Sequence, residues 1–283
     1  MKTVTQLFSL LFLITVMTAC PGGKETTDVT PSGDDYQKVI DAKYKTLGWT
    51  NGPDNGGKAI QTAGKKGWVQ YYGGKDRAIY YFNSTAYAVL NYEMKKYDQL
   101  GQDNYALILA DYVSLKNNVG YIGIKKVSDN SDGIIITNPA GLTTLIDGEI
   151  YKKYKALDRW DGILGYPITD EMDLTSKKGR YQHFSKNESG TPYTAQIYYS
   201  AATGAQAFWG KIDKLYNALG YDGGWLGLPT TSCDPNIAEG KQYVRFQNGA
   251  IDGAPCGNYY AVGGLLRYQN GTTPTGGAVP PCY

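Results

Sequence analysis

One imidazole, His183, serves the whole 283-residue chain, and it stands in a strand-like run, Gly179-Arg180-Tyr181-Gln182-His183-Phe184. A nucleophilic serine or cysteine would need that single group as its base. Gly-x-Ser-x-Gly, a Walker loop, a dinucleotide glycine pattern and zinc-ligand spacing are all missing. His183 therefore reads as a strand residue that faces solvent or a neighbouring tyrosine. The carboxylates Asp158, Asp161, Asp170, Glu171 and Asp173 crowd around Leu164-Gly165-Tyr166-Pro167. A pair of acids flanking a sugar can hydrolyse a glycosidic bond, and acidic loops can hold calcium. The Asp-x-Asp-x-Asp-Gly register is absent, however, and acids in turns ordinarily face solvent or cap helices. No catalytic residue, cofactor or metal is expected.

Aromatic residues are the stronger chemical signal: 26 Tyr, 6 Phe and 5 Trp. Tyr80-Tyr81, Tyr198-Tyr199 and Tyr259-Tyr260 stand in strand-like runs, where alternate residues face opposite ways, so one ring of each pair should pack inward and the other outward. Trp49, Trp160 and Trp225 each follow a helical pattern by a few residues. A flat ring on a turn, beside Asp or Asn, suits carbohydrate: the ring stacks on the sugar and the polar groups meet its hydroxyls. The expected ligand-binding set is Trp160, Tyr166, Tyr198, Tyr199, Trp225, Tyr259 and Tyr260.

The elements that must position these residues recur along the chain. Ile150, Tyr154 and Leu157 fall at i, i+4 and i+7 on one helical face. Leu164-Gly165-Tyr166-Pro167 follows, then Gly179–Phe184 and Ala195–Ser200 as strands. The order returns as Lys211–Gly220, Leu226-Gly227-Leu228-Pro229, Lys241–Phe246 and Gly257–Val262. Earlier copies are looser: Ile40, Tyr44 and Leu47 with strands Gly67–Tyr72 and Ala78–Phe82, then Leu90, Met94 and Tyr97 with Gly120–Val127 and Gly133–Thr137. Gly48 stands where a helix end favours a left-handed residue, Asp158 replaces that glycine in the third copy, and Thr144 with Asp147 has capping-box spacing. The four helix tyrosines, Tyr44, Tyr97, Tyr154 and Tyr216, lie 53, 57 and 62 residues apart. Loops absorb the drift, as in arrays whose units bury their faces against each other.

This combination of an amphipathic helix, a Leu-Gly-x-Pro turn and a Tyr/Phe-rich hairpin resembles the LGFP repeat. That family occurs in bacterial envelope proteins, sometimes fused to mycolyltransferases, and is associated with cell-wall polysaccharide. The resemblance implies a propeller-like star. It is strong in the third and fourth copies and weak in the second, which lacks the turn. The expected fold is an α+β repeat protein of about four helix-plus-antiparallel-hairpin units in a propeller-like ring or arc, at 36–88, 89–144, 145–207 and 208–266.

Residues 1–19 read as a signal peptide, since the apolar run Leu7–Met17 is too short to span a membrane. Met17-Thr18-Ala19-Cys20 resembles a bacterial lipobox, with Cys20 acylated; lipid chains hold a protein on a membrane without a spanning helix. Residues 20–35 form a flexible tether and 267–283 a Gly/Thr/Pro-rich tail. For an exported chain a disulfide is the default for the remaining cysteines. Cys233 with Cys256 is the preferred pair, and Cys282 with Cys256 the alternative. A net charge of +2 without a basic run argues against nucleic acid. Together these features describe a non-catalytic lipoprotein of the bacterial envelope, at the outer membrane or cell surface, whose repeats bind cell-wall or surface polysaccharide. A repeat scaffold for an envelope or secreted protein partner is the alternative, and a glycan hydrolase the third reading.

Overall fold

Helix and sheet alternate along the chain. The computed structural model describes residues 35–62, 67–101, 104–105, 107–108, 111–115, 119–174, 178–188, 191–238, 241–252 and 258–261. The expected leader, Cys20, all of the tether but Asp35, Cys256 and the tail with Cys282 lie outside these residues. Four helices and four antiparallel sheets are present among the described residues. None of these helices is long and apolar enough to cross a membrane.

In unit one, α1 (Asp35–Leu47) buries Ile40 and ends at Gly48, whose φ of +62° is the left-handed C-terminal geometry expected there. Its sheet runs β1 (Ile60–Gln61), β2 (Trp68–Tyr72), β3 (Arg77–Phe82) and β4 (Thr85–Leu90), each paired with the next. Unit two has α2 (Asn91–Leu100), then β5 (Leu107–Ile108) and β6 (Val113–Ser114), both paired with β7 (Gly120–Lys125). β8 (Asp132–Thr137) and β9 (Thr143–Asp147) complete that sheet. Unit three has α3 (Gly148–Ala156), then β10 (Tyr166–Pro167) and β11 (Met172–Asp173), both on β12 (Arg180–Glu188), followed by β13 (Thr191–Ser200) and β14 (Gly204–Trp209). Unit four has α4 (Gly210–Ala218) and the sheet β15 (Tyr243–Phe246), β16 (Gly249–Asp252) and β17 (Asn258–Ala261).

Each of α2, α3 and α4 packs on the sheet before it and on the sheet after it. One apolar cluster joins Ile40, Tyr72, Ile79 and Tyr81 under α1. A second lies on the other face of the same sheet and joins Val69, Tyr80, Phe82 and Val89 to Met94 and Tyr97 of α2 and to Ile122, Ile124 and Ile135 of unit two. The third runs from Ile134 and Ile146 through α3, sheet three and α4 to Phe246. A sheet covered on both faces needs apolar residues on both, which removes strict alternation.

Three sequence expectations change, the first of them for that reason. Tyr80 and Tyr81 are both buried, at 0% and 5% exposure, instead of dividing inward and outward. Each hairpin is extended to a meander by a third strand, β4, β9 or β14, that runs directly into the next helix. The first residues of those helices, Asn91, Gly148 and Gly210, have φ of +26°, +57° and +62° and make the corner. The capping box is not formed. Thr144 lies inside β9 with its buried hydroxyl unbonded among the described residues, and the Asp147 carboxylate turns instead to Tyr105 and Lys126.

Candidate functional site

The helix tyrosine is the local anchor of a unit. Tyr154 Oη donates to Gly165 O at 2.7 Å, and Tyr216 Oη donates to Gly227 O at 2.8 Å. Tyr44 Oη donates to Asn51 O at 2.9 Å. Each acceptor lies two residues before a proline, and Pro53, Pro167 and Pro229 pair with Tyr72, Phe184 and Phe246 on the strand. Those strand rings return to the helix tyrosines at 4.7 Å, 4.9 Å and 4.7 Å. Gly165 (φ +72°) and Gly227 (φ +71°) permit the turn, and a Cβ at Gly165 would lie 2.4 Å from Ser185 O. In unit two the proline turn is missing, and the buried Tyr97 hydroxyl has no hydrogen-bond partner among the described residues. Three of the four tyrosines therefore share one environment, and the fourth keeps the packing without the bond.

The tryptophans are not equivalent. Trp49 and Trp225 each stand four residues before the proline, a place held by Ile163 in unit three. Trp225 is half-buried at the rim of the core, with Nε1 buried and unbonded among the described residues. Trp160 lies in a short helical turn, Arg159–Asp161, behind Asp158 in left-handed geometry. Its half-buried ring packs against Tyr121 of unit two at 4.9 Å, and the Arg159 guanidinium lies 5.3 Å from the ring centroid. Lys155, Asp158, Arg159, Trp160 and Asp161 line a solvent-open concavity of about 500 Å³.

A second cavity, about 520 Å³, opens between units two and three; Lys155 lines both, and Tyr199 lines this one. At its wall, Tyr105 donates a short hydrogen bond to the Asp147 carboxylate, and Lys126 Nζ lies 3.3 Å from that group. Glu171 accepts the Asp147 N–H at 2.8 Å and has Arg180 Nε 3.3 Å away. Burial pushes the Glu171 carboxyl up to about 7, with Asp147 acting in the same direction against Arg180 and Lys126. The other acids, Asp158, Asp161, Asp170 and Asp173, are exposed. The acidic cluster of the sequence thus divides into the surface groups Asp158, Asp161 and Asp173, an exposed Asp170 that bonds Leu145 N–H and Lys96, and the buried Glu171 carboxylate.

The remaining residues of the expected set fall in different places. Tyr166 is half-buried against the core, and burial raises its phenol. Tyr198 is 1% exposed, packed on Tyr181, Phe208 and Tyr216, so it is core and not a ligand platform; α4 covers its face of β13. Tyr259 and Tyr260 lie on β17, the third strand of unit four, because β16 takes the second place expected for them. Their strand place therefore differs from that of Tyr198-Tyr199, which lie on the second strand of unit three. His183 faces Tyr181 and Tyr221 as expected, and burial lowers its pKa. Cys233 is buried at 4% exposure, and its backbone N–H donates to Ala207 O at 2.8 Å. No three His, Cys, Asp or Glu among the described residues gather into a group that could hold a metal ion. Sequence reasoning missed Arg159, Lys155 and the Tyr105–Asp147–Glu171–Arg180 network. Arg159 was legible as a cation beside Trp160, whereas the network joins segments distant in sequence.

The fold and these anchors define a repeat protein of helix-and-meander units. The model of the LGFP repeat family matches residues 164–224, so the stretch from the Leu164 turn through α4 is an LGFP repeat. A search of curated proteins finds no match to the chain.

Proposed function

We propose that the protein is a non-catalytic, lipid-anchored envelope protein whose units form a ring or arc and bind polysaccharide, chiefly at Trp160. The observation that carries this reading is the half-buried Trp160 ring in the wall of an open concavity, with Lys155 and Arg159 as donors and Asp158 and Asp161 as acceptors. Such a mixture of one flat apolar surface and convergent polar groups suits a polyhydroxylated ligand. Tyr121 braces the ring from the neighbouring unit, which reduces the ordering cost on binding. A non-catalytic role is supported by Asp147 and Glu171, whose carboxylates are both engaged by internal partners. Acylation at Cys20 and the tether would hold the units at a membrane surface, so weak sites on one envelope could act together.

The test is retention of the full chain on purified cell-wall polysaccharide. Trp160→Ala should weaken binding by roughly tenfold, equivalent to ~1.4 kcal/mol, with circular dichroism unchanged. Retention equal to the parent would exclude Trp160 as the platform. A parent that binds no polymer would overturn the polysaccharide reading and favour a protein partner.

A further inference from the structure

At each junction between units, a side chain of the later unit accepts a backbone N–H from the third strand of the earlier sheet. Asp111 Oδ1 accepts from Ala88 at 2.9 Å, Asp170 Oδ1 from Leu145 at 2.8 Å, and Ser232 Oγ from Ala207 at 3.0 Å. At the first two junctions the other carboxylate oxygen takes a lysine from the earlier unit's helix. Lys43 Nζ lies 2.5 Å from Asp111 Oδ2, and Lys96 Nζ lies 2.5 Å from Asp170 Oδ2. Both lysines immediately precede the helix tyrosine, and on α3 that place belongs to Lys153, before Tyr154.

The third junction has kept the lysine and lost the acid. Serine can replace one function of the aspartate, acceptance of the backbone N–H, but supplies no charge. Ser232 Oγ instead donates to Gln206 Oε1 at 2.8 Å. Lys153 is half-buried and has no ion pair or hydrogen bond among the described residues. Burial lowers its pKa, and no anion acts in the other direction. A partly desolvated ammonium without a counter-ion is unfavourable, and an incoming anion removes that cost.

We propose that Lys153, the α3 counterpart of Lys43 and Lys96, receives an anionic group of the bound polysaccharide, a carboxylate or phosphate, in the role that Asp111 and Asp170 fill internally. This rests on the polysaccharide reading and narrows it to acidic polymers. Trp160 and Lys153 belong to the same unit.

The experiment uses the full chain, its Lys153→Met and Ser232→Asp variants, and three probes: oligogalacturonate, its neutral methyl ester, and poly(glycerol phosphate). Wild type should bind a charged probe about tenfold more tightly than the ester, the scale of one charge-assisted hydrogen bond. Lys153→Met should abolish that preference. Ser232→Asp should abolish it too, while raising the Lys153 Nζ pKa seen by NMR, because the internal counter-ion is restored. Preference for the carboxylate or the phosphate probe identifies the group. Retained preference in Lys153→Met, or in Ser232→Asp, would overturn the proposal. Equal binding of charged and neutral probes by wild type overturns it while leaving the polysaccharide reading intact. Binding of none by wild type overturns both.

Discussion

Replacing the helix tyrosines one at a time by phenylalanine should give opposite results in neighbouring units, because the same hydroxyl is bonded in one and orphaned in the other. Tyr154 and Tyr216 donate to Gly165 O and Gly227 O at 2.7 Å and 2.8 Å in buried surroundings. Removing either hydroxyl gives up a buried hydrogen bond and strips a donor from the turn carbonyl, at a cost of about 1–3 kcal/mol. Tyr97 is 0% exposed with no partner for its hydroxyl among the described residues. Its Phe variant removes a desolvation penalty and should be neutral or stabilising, by up to about 1–3 kcal/mol. Tyr44 bonds Asn51 O in an exposed setting, so Tyr44→Phe should cost about 0.5–1 kcal/mol. Urea denaturation, with circular dichroism and tryptophan fluorescence required to coincide, gives the midpoints. At roughly 2–4 °C per kcal/mol for a chain of this size, Tyr154→Phe should melt several degrees lower. A Tyr97→Phe loss as large as that of Tyr154→Phe would refute the assignment of the hydroxyl bond as the difference between units.

Two more predictions concern single positions. Gly165→Ala and Gly74→Ala place a Cβ at nearly the same φ, +72° and +71°, but only the first meets an obstacle, at 2.4 Å. Gly74→Ala should cost about 1 kcal/mol from the left-handed backbone alone, and Gly165→Ala clearly more, in the same denaturation assay. The buried Glu171 carboxyl has a folded pKa of about 7 against the ordinary value of 4.5. Its contribution is therefore fully present below pH 4.5 and is lost as pH rises through 7, on the order of 3 kcal/mol. Glu171→Gln should remove this fall from the stability–pH curve between those limits. Parallel curves for wild type and variant would refute the raised pKa.

The helix stripes, apart from Leu90, which ends β4, together with the Leu-Gly-x-Pro turns and the first hairpin of each of the first three units, were legible in the sequence because each is a short-range pattern. The spacing of Tyr154 to Gly165 matches that of Tyr216 to Gly227, so even the anchor bond has a sequence trace. Local reading failed where one chain segment acquires its partner from another unit. The third strands were hidden because they enter the next helix through a single residue of positive φ, with no turn to mark the boundary. The same omission placed Tyr259-Tyr260 on a second strand when β17 is the third. Burial of Tyr198 was unreadable because α4, which covers it, begins after an intervening strand. The sequence by itself determined the repeated element types and their anchors, since 3.6-residue periodicity and proline turns act within a few residues. Tertiary structure alone decided which aromatics remain half-exposed and which charges meet. Those properties depend on two-sided packing and on junctions that bring Lys96 to Asp170, 74 positions apart.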